Sequence, residues 1–517
     1  MAGTQSLEGF CRFLPHRTKR KLVRVIILIL MLFPFLVPRD ASALVDPSVP
    51  VSTYTIDLLL DRAISENLIA GGVVVVGNRE GILATSARGQ VSSLPGAEPI
   101  TDRTVFDVAS LTKVVATTPA VIKLLDEGRI TLSDPMSRWF PEFAGASHGE
   151  LTVLHLMTHT SGLSDVTVSS DNSMESTVRK AALQHHRKGP GTSFKYADIN
   201  FILLGEMVRR VSGETLNDFC QTQIYEPLGT RETQFLPPSE LAADVAPTSG
   251  THGGVVQDLN ARRLGGVAGH AGLFSSAYDL SRYARMILSG GLLDGRRILS
   301  DQIVAQMTTP YLCNDGQVKR GLGWDIASPY SAPKGILFSD TSFGHTGYSG
   351  SSIWIDPEQD LFVIMLTRRV DYRNVKKFNK LRRNVSTIAA ADYNTLDGGT
   401  LDPDSLTEIA RIKTQVLVAS AGDDRPAARP TRIAARQTKI AARQIRVVAS
   451  VGQKWKEKSA AKCSTRKSDR RIAKARPGVR GSRIAKATKV TKVTKVAKRD
   501  SGKSQSTPKK RRSLPKS

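Results

Sequence analysis

The residues that could do chemistry in this sequence begin with Ser110 and Lys113, in the segment FDVASLTK at residues 106–113. They lie three residues apart at the start of a helix predicted for residues 110–126, so both side chains share one helix face. A lysine there can help to deprotonate the serine hydroxyl, and a helix N-terminus favours the negative charge that develops. The spacing indicates a serine nucleophile with a lysine partner, although Ser-x-x-Lys alone is a weak signal.

Two further groups of polar residues follow at the ends of predicted elements. Tyr196-Ala197-Asp198 precedes a helix predicted for residues 201–212, and His345-Thr346-Gly347 precedes a strand predicted for residues 352–356. Three such groups in this order, at these separations, form a much stronger signal than any one of them.

With these groups the chain resembles the serine β-lactamase and penicillin-binding protein superfamily, in its class C-like and D-alanyl-D-alanine carboxypeptidase-like branch. Further matching segments are HLMTHTSGL (155–163), GRITLSDPMSRWFPEF (128–143), GGVAGHAGLFSSAYDL (265–280) and SSIWIDPEQDLFVIML (351–366). The resemblance covers roughly residues 54–391. It implies a β-lactamase/transpeptidase-like α+β fold.

The resemblance implies a role for each matched residue. Ser110 would be the nucleophile that forms an acyl-enzyme, Lys113 would take part in its activation, and Tyr196 would shuttle the proton to the leaving group. Asp198 would help to hold the lysine and the substrate amide. The substrate carboxylate would face the segment of His345, Thr346 and Gly347, and the oxyanion hole would consist of the backbone N–H groups of Ser110 and Tyr348.

Two departures from the usual pattern of the superfamily are informative. The second group is usually Tyr-x-Asn, and here a carboxylate stands at Asp198, which can pair with Lys113 but cannot donate an amide hydrogen bond unless protonated. The third group begins with His345 in place of lysine. If His345 binds a carboxylate as imidazolium, turnover of anionic substrates should fall above its pKa.

Three other histidines are predicted to have structural roles. His155 and His159 are spaced like a metal-binding pair on a helix, but Leu156 stands where the zincin pattern needs glutamate. His270 lies in a glycine-rich loop without phosphate-binding spacing, which favours a role in packing or in a pocket wall. We therefore expect no metal and no cofactor.

Hydrophobic periodicity independently supports an α+β architecture. A helix is predicted for residues 53–69, strands for residues 73–76 and 82–87, and further helices for residues 201–212 and 276–288. A second strand pair, at residues 352–356 and 361–366, precedes a closing helix at residues 372–391. Strands thus occur early and late, which predicts one antiparallel sheet built from both chain ends, flanked by helices, with a mostly helical insert.

Charge separates the chain into parts. The net charge of the 517 residues is +26, but residues 425–517 hold 31 Lys and Arg against 3 Asp and Glu, and residues 44–424 are mildly acidic. Residues 1–43 resemble a signal peptide, with a basic start, a 13-residue apolar run and an Ala-Ser-Ala cleavage site. We predict a serine hydrolase domain at residues 44–400, a linker at 401–424 and a disordered basic tail at 425–517.

These parts predict a bacterial enzyme that is exported to the periplasm or cell envelope. The function expected is D-alanyl-D-alanine carboxypeptidase-like hydrolysis of peptidoglycan peptides through Ser110, or of another small-molecule substrate. A carboxylesterase, a weak β-lactamase and a non-catalytic envelope-binding protein remain alternatives. The tail could bind an anionic envelope polymer or lipid, whereas its lack of a nucleic-acid-binding signature disfavours nucleic acid. Pairing of Cys220 with Cys313 and the oligomeric state stay open.

Overall fold

The computed structural model describes residues 53–421, apart from residues 146–150, 170–172, 185–188, 243, 249–251 and 397–400. The predicted signal peptide and basic tail lie outside the described residues. The strands are β1 (Ile69–Gly77), β2 (Ile82–Gly89), β3 (Val105–Asp107), β4 (Gln234–Phe235), β5 (Val245–Ala246), β6 (Leu273–Ser275), β7 (Leu292–Leu293), β8 (Arg296–Arg297), β9 (Tyr311–Cys313), β10 (Val318–Arg320), β11 (Asp325–Ala327), β12 (Phe343–Thr346), β13 (Ser352–Asp356) and β14 (Leu361–Arg369).

The helices are α1 (Tyr54–Ser65), α2 (Thr118–Asp126), α3 (Val153–Met157), α4 (Met174–Ala182), α5 (Asp198–Ser212), α6 (Leu216–Cys220), α7 (Glu226–Leu228), α8 (Leu259–Arg263), α9 (Ala277–Leu288), α10 (Asp301–Thr308), α11 (Val375–Leu396) and α12 (Pro403–Ala421). Residues 221–225 add a π-helical turn between α6 and α7.

An eight-stranded antiparallel sheet unites the two ends of the described chain. Its order is β2–β1–β14–β13–β12–β11–β10–β9, so β1 and β2 extend a meander formed by the later strands. The predicted α+β fold with a sheet from both chain ends is confirmed. Strand β1 pairs with β14 in a register that places Val74 opposite Met365.

Both faces of this sheet are buried. Side chains alternate along a strand, so Val73 and Val75 pack toward the helical insert, whereas Val74 and Val76 pack toward α1 and α11. This two-sided burial explains why β1 contains an unbroken run of valines rather than an alternation of apolar and polar residues. The sheet is therefore a central layer between the insert and the helices near the chain ends.

A smaller four-stranded sheet, which the sequence patterns did not predict, leads directly to the predicted nucleophile. Its order is β4–β6–β3–β5, with β3 antiparallel to β6 and parallel to β5. After β3 the chain forms a 3₁₀ turn at Ala109–Leu111, a π-helical turn at Lys113–Thr117, and then α2. The single helix predicted for residues 110–126 is thus three helical segments of different winding. Strands β7 and β8 form a separate hairpin.

One domain boundary differs from the prediction. The predicted linker at residues 401–424 contains α12, whose apolar side chains Ile409, Ile412 and Val416 are buried against the core that includes α1. Lys413 of α12 also pairs with Asp392 of α11 at 3.0 Å. Helix α12 therefore belongs to the folded domain.

The structure of the described chain answers the question of cysteine pairing. Cys220 and Cys313 are both free and buried. Within the residues that the structure describes, none of the helices combines the length and the apolarity that a membrane crossing requires.

Candidate active site

Ser110 lies on a backbone turn held in an unusual conformation. Ala109, directly before it, has a φ of +48°, in the left-handed region that residues other than glycine rarely adopt. The buried carboxylate of Asp107 supports the turn by accepting the Ala109 backbone N–H at 2.8 Å and the Gln257 backbone N–H at 2.7 Å. Burial raises the pKa of Asp107 to about 6, although these two hydrogen bonds oppose the shift. Asp107 thus anchors the nucleophile turn to the loop before α8.

Lys113 directs its ammonium group at three acceptors. Its Nζ lies 3.1 Å from Ser110 Oγ, 3.0 Å from the backbone carbonyl oxygen of His270 and 2.7 Å from Asp198 Oδ1. The side chain of Lys113 is completely buried, whereas that of Asp198 is about a third exposed. The π-helical turn that begins at Lys113 belongs to a class of local distortions that often occur at functional sites.

The charges of Lys113 and Asp198 stabilise each other. Burial disfavours the ammonium form of Lys113, but the Asp198 carboxylate and Tyr196 outweigh this effect and place its pKa above the ordinary value. Burial likewise disfavours the carboxylate of Asp198, and the attraction of Lys113 and His270 lowers its pKa below the ordinary value. At neutral pH the pair is therefore ammonium and carboxylate.

Tyr196 lies over Lys113 and against His159. The Lys113 ammonium is 5.1 Å from the centre of the Tyr196 ring, and the ring of His159 stacks on that of Tyr196 at 4.5 Å between centroids. Burial raises the pKa of Tyr196 above its ordinary value, despite the attraction of Lys113 and hydrogen bonding to Lys113 and Ser110. The buried His159 accepts hydrogen bonds at Nδ1 from Asn200 and from the Ala197 backbone. His159 thus orients the segment that carries Tyr196.

Two buried arginines hold the loop that carries Tyr348, which we call the oxyanion loop (residues 347–351). Arg382 of α11 donates to the backbone carbonyl oxygens of Gly347 at 2.6 Å and Ser351 at 2.8 Å. Arg369 of β14 donates to the carbonyl oxygen of Tyr348 at 3.2 Å. Ser351 in turn donates to the Val108 carbonyl at 2.7 Å, which ties this loop to the nucleophile turn.

A cavity of about 310 Å³ opens beside Ser110. Its lining includes Arg320, Arg369 and Arg382, with Asp325 as the acidic lining residue. Asp325 pairs with Arg320 at 3.1 Å, so it offsets one of the three cations. The exposed rings of Tyr330 and Tyr348 also line the cavity, whose other lining residues include Tyr196, His345, Thr346, Gly347 and Asn379. The cavity therefore suits a ligand with a negative charge and an apolar part.

His345 does not have the charge that binding of a carboxylate as imidazolium would require. Burial, reinforced by Arg320 and Lys113, lowers its pKa well below the ordinary value. Its Nδ1 lies 3.0 Å from the carbonyl oxygen of Thr346, which accepts a hydrogen bond from it. A neutral His345 therefore lines the cavity, and the positive charge there comes from arginines.

His270, assigned to packing or a pocket wall by the sequence, contacts the site through both backbone and ring. Its carbonyl binds Lys113, and its Nε2 lies 2.9 Å from Asp258 Oδ1. The pKa of Asp258 is about 2, because hydrogen bonding and attraction to His270 outweigh the effect of burial. His270, Asp258 and Asp198 place three potential metal ligands within 4.8 Å of one another. Lys113 already supplies a positive charge to Asp198, so this set has no need of a metal for charge balance.

The structure brings the predicted site residues together. Ser110, Tyr196, His345, Thr346, Gly347 and Tyr348 line one cavity, while Lys113 contacts Ser110 and Asp198 contacts Lys113. Their catalytic roles remain predictions. The site also includes five residues that the sequence did not indicate: Asp107, Asp258, Arg320, Arg369 and Arg382. Of these, only Asp107 lies within a segment predicted to do chemistry, three residues before Ser110.

Comparison with known proteins agrees with this geometry. The Beta-lactamase family model matches residues 60–385. A relative from Salmonella agona, named "Putative D-alanyl-D-alanine carboxypeptidase", is 29% identical over an alignment of 316 residues, and the match covers 53% of this chain and 72% of the relative.

Solved structures share the fold. A penicillin-binding protein homologue from Caulobacter crescentus has a TM-score of 0.55 at 20% identity, with 67% of this chain and 99% of that chain covered. A mutant of a class C β-lactamase has a TM-score of 0.55 at 20% identity, with coverage of 66% and 97%. EstCE1, a hydrolase with promiscuous acyltransferase activity, has a TM-score of 0.54 at 20% identity, with coverage of 65% and 100%. Since the matched family model spans most of the described domain and its serine–lysine site is assembled here, this chain belongs to the β-lactamase family of serine hydrolases.

Proposed function

We propose that this protein is a D-alanyl-D-alanine carboxypeptidase-like enzyme that forms an acyl-enzyme on Ser110 with peptidoglycan peptides. The observation that carries the proposal is the arginine-rich cavity beside the Ser110–Lys113 pair. A peptide that ends in D-alanine presents a carboxylate close to its scissile amide, and arginine binds carboxylates well. The name of the Salmonella relative points to the same substrate class.

In this mechanism the Ser110 oxygen attacks the amide carbonyl while the positive charge of Lys113 stabilises the developing alkoxide. The negative charge on the carbonyl oxygen is received by the backbone N–H groups of Ser110 and Tyr348. Tyr196, a neutral phenol beside Ser110 and Lys113, can donate its proton to the departing amine, and the proton that Ser110 lost then restores the phenol through Lys113. Water then hydrolyses the ester and regenerates the serine.

A carboxylesterase is the second candidate function. The exposed rings of Tyr330 and Tyr348 on the cavity lining favour it, because they can pack against an apolar acyl group. Hydrolysis of a β-lactam would use the same serine. A non-catalytic envelope-binding protein is disfavoured, because the 3.1 Å contact between Lys113 and Ser110 places a proton-transfer partner at the nucleophile.

We further propose that the enzyme acts outside the cytoplasm of a bacterium, in the periplasm or at the cell envelope. The support is the signal-like pattern of residues 1–43 and the basic composition of residues 425–517. Peptidoglycan is found in that compartment, so the location and the proposed substrate agree.

The test is labelling with a fluorescent penicillin and with a fluorophosphonate, followed by release of D-alanine from a peptide ending in D-alanyl-D-alanine. Wild type and Ser65→Ala should take both labels and release D-alanine, because Ser65 is exposed on α1, across the sheet from the insert. Ser110→Ala should lose all three signals. A wild type that takes neither label contradicts acyl-enzyme chemistry, whereas labelling without release of D-alanine, together with ester hydrolysis, selects the esterase.

A further inference from the structure

The three N–H bonds of Lys113 restrict how this lysine can act on Ser110. An ammonium group has three donors and no acceptor. The Lys113 Nζ contacts Ser110 Oγ, the His270 carbonyl oxygen and Asp198 Oδ1, and it also interacts with the Tyr196 hydroxyl. Such a group has no lone pair with which to take the serine proton. It can accept that proton only if it releases one of its own.

Among these groups, Asp198 is the one that can take a proton from Lys113. Ser110 is the source of the transferred proton, and the peptide carbonyl of His270 is far too weak a base. Tyr196 is the other candidate acceptor near Ser110, but its raised pKa keeps the phenol neutral at neutral pH. The carboxylate of Asp198, 2.7 Å from Nζ and partly exposed, has a free lone pair for the proton.

We propose that Asp198 accepts, through Lys113, the proton that Ser110 loses during acylation. The Ser110 O–H bond breaks as an N–H bond forms at Nζ, and another N–H bond of Lys113 breaks as an O–H bond forms at Asp198 Oδ1. Lys113 remains an ammonium ion throughout. The serine oxygen bonds to the substrate carbonyl carbon, whose π electron pair moves to its oxygen. This inference rests on the proposed serine acyl-enzyme function.

The surroundings of Asp198 make it a transient acceptor. The charged and titratable groups that face it are Lys113, Tyr196, Asp165, Asp258 and His270. The nearby carboxylates favour protonation of Asp198, whereas Lys113 and His270 oppose it. The net lowering of the Asp198 pKa favours return of the proton as the tetrahedral intermediate collapses, so that Lys113 and Tyr196 can pass this proton to the leaving group while the acyl-enzyme forms.

The usual residue of the superfamily at this position provides the critical substitution. In a Tyr-x-Asn pattern the amide can bind a lysine through its oxygen, but it cannot accept a proton at neutral pH. Asp198→Asn therefore preserves size and hydrogen bonding while it removes proton acceptance. A role for Asp198 that is purely steric or depends only on hydrogen bonding would survive this change, whereas the negative charge beside Lys113 is lost together with proton acceptance.

The experiment measures the acylation burst with p-nitrophenyl acetate from pH 4 to 10 in wild type, Asp198→Asn, Asp198→Glu and Asp165→Asn. Asp198→Asn should acylate about 10²-fold more slowly at pH 7, with an unchanged dissociation constant for the ester. The acid limb of its pH–rate profile for acylation should move to higher pH, because the variant acylates only when Lys113 is neutral. Asp198→Glu should recover part of the rate. Asp165→Asn is the matched comparison: Asp165 accepts the Ile199 N–H at the N-terminus of the same helix and affects Asp198 and Lys113 through its charge alone, so its loss should slow acylation much less than Asp198→Asn does.

A second measurement uses wild type alone and is independent of how the variants fold. Because two protons move in the proposed step, the acylation rate in mixtures of H₂O and D₂O should depend on the deuterium fraction along a curve. A linear dependence, which indicates one proton, overturns the proposal. The proposal is also overturned if Asp198→Asn keeps the wild-type acylation rate and pH–rate profile, or if Asp165→Asn loses as much acylation rate as Asp198→Asn. If wild type gives no larger burst than Ser110→Ala, the proposed acyl-enzyme function is contradicted, and the proton relay through Asp198 with it.

Discussion

Adding a single methyl group at Gly347 should lower the activity of the protein while leaving it folded. A Cβ at this residue would lie 2.5 Å from the Val108 carbonyl oxygen and 3.3 Å from the Ala109 Cβ, and closer still to Ser351 Oγ. Gly347→Ala therefore forces the oxyanion loop away from the turn that carries Ser110. Both segments carry a backbone N–H of the predicted oxyanion hole.

The size of the effect follows from these distances. An ordinary contact begins near 3.4 Å, so the loop must retreat from the Val108 carbonyl by about 0.9 Å. A misplacement of about 1 Å can cost roughly 10²-fold in rate, and loss of one oxyanion donor costs about 10²–10³-fold. We expect acylation of Ser110 to slow by about 10²-fold, with a much smaller effect on ester binding.

The assay is the same p-nitrophenyl acetate burst, combined with thermal unfolding and circular dichroism. Gly81→Ala is the control, because a Cβ there meets nothing within 4 Å in the turn between β1 and β2. The control should retain the wild-type acylation rate. A Gly347→Ala variant that acylates within about 3-fold of wild type, and unfolds at the same temperature, would refute the argument that this close approach positions the oxyanion hole.

Three further predictions follow from the site and from the chain ends. Arg382→Lys should lower kcat/KM for an anionic peptide about 10-fold, since a lysine cannot bind the Gly347 and Ser351 carbonyls as Arg382 does; an unchanged value contradicts this. The pKa of His345 is well below its unfolded value of 6.5, so the unfolded chain binds a proton more readily than the folded one. The contribution of His345 to stability is therefore complete above pH 6.5 and is lost as the pH falls below it. The Tm of His345→Gln should therefore fall less than that of wild type between pH 6.5 and 5, and parallel curves would oppose it. Deletion of residues 425–517 should leave ester turnover unchanged and weaken salt-sensitive retention on cell envelopes, as measured by co-sedimentation; a large loss of turnover would move the domain boundary.

The sheet and much of the site were predictable because their signals are local. A few neighbouring residues were enough to predict the valine-rich strand β1, the turn after it and the late strand pair. The end of α5 is also marked locally, by Gly213 with a φ of +85°. Three short groups supply the cavity residues around Ser110, and each lies next to an element whose end could be recognised. Assembly of these groups in space then follows from the fold.

Other features depend on distant contacts and left no local signal. Arg369 and Arg382 occupy ordinary strand and helix positions, and only the folded chain shows that they bind the oxyanion loop. The neutral state of His345 depends on burial and on Arg320, both consequences of tertiary packing. Helix α12 was read as linker because its short apolar pattern gains meaning only when it packs with α1.

The π-helical turn at Lys113–Thr117 has a consequence for how catalysis and folding are linked along the chain. A π turn contains about one residue more than an α turn of similar rise, which offsets the angular phase of the residues on its two sides by roughly 100°. Loss of one residue there would let α2 keep its apolar contacts while Ser110 and Lys113 rotated away from Asp198. We therefore expect deletion of one residue of this turn to abolish activity while the protein stays folded.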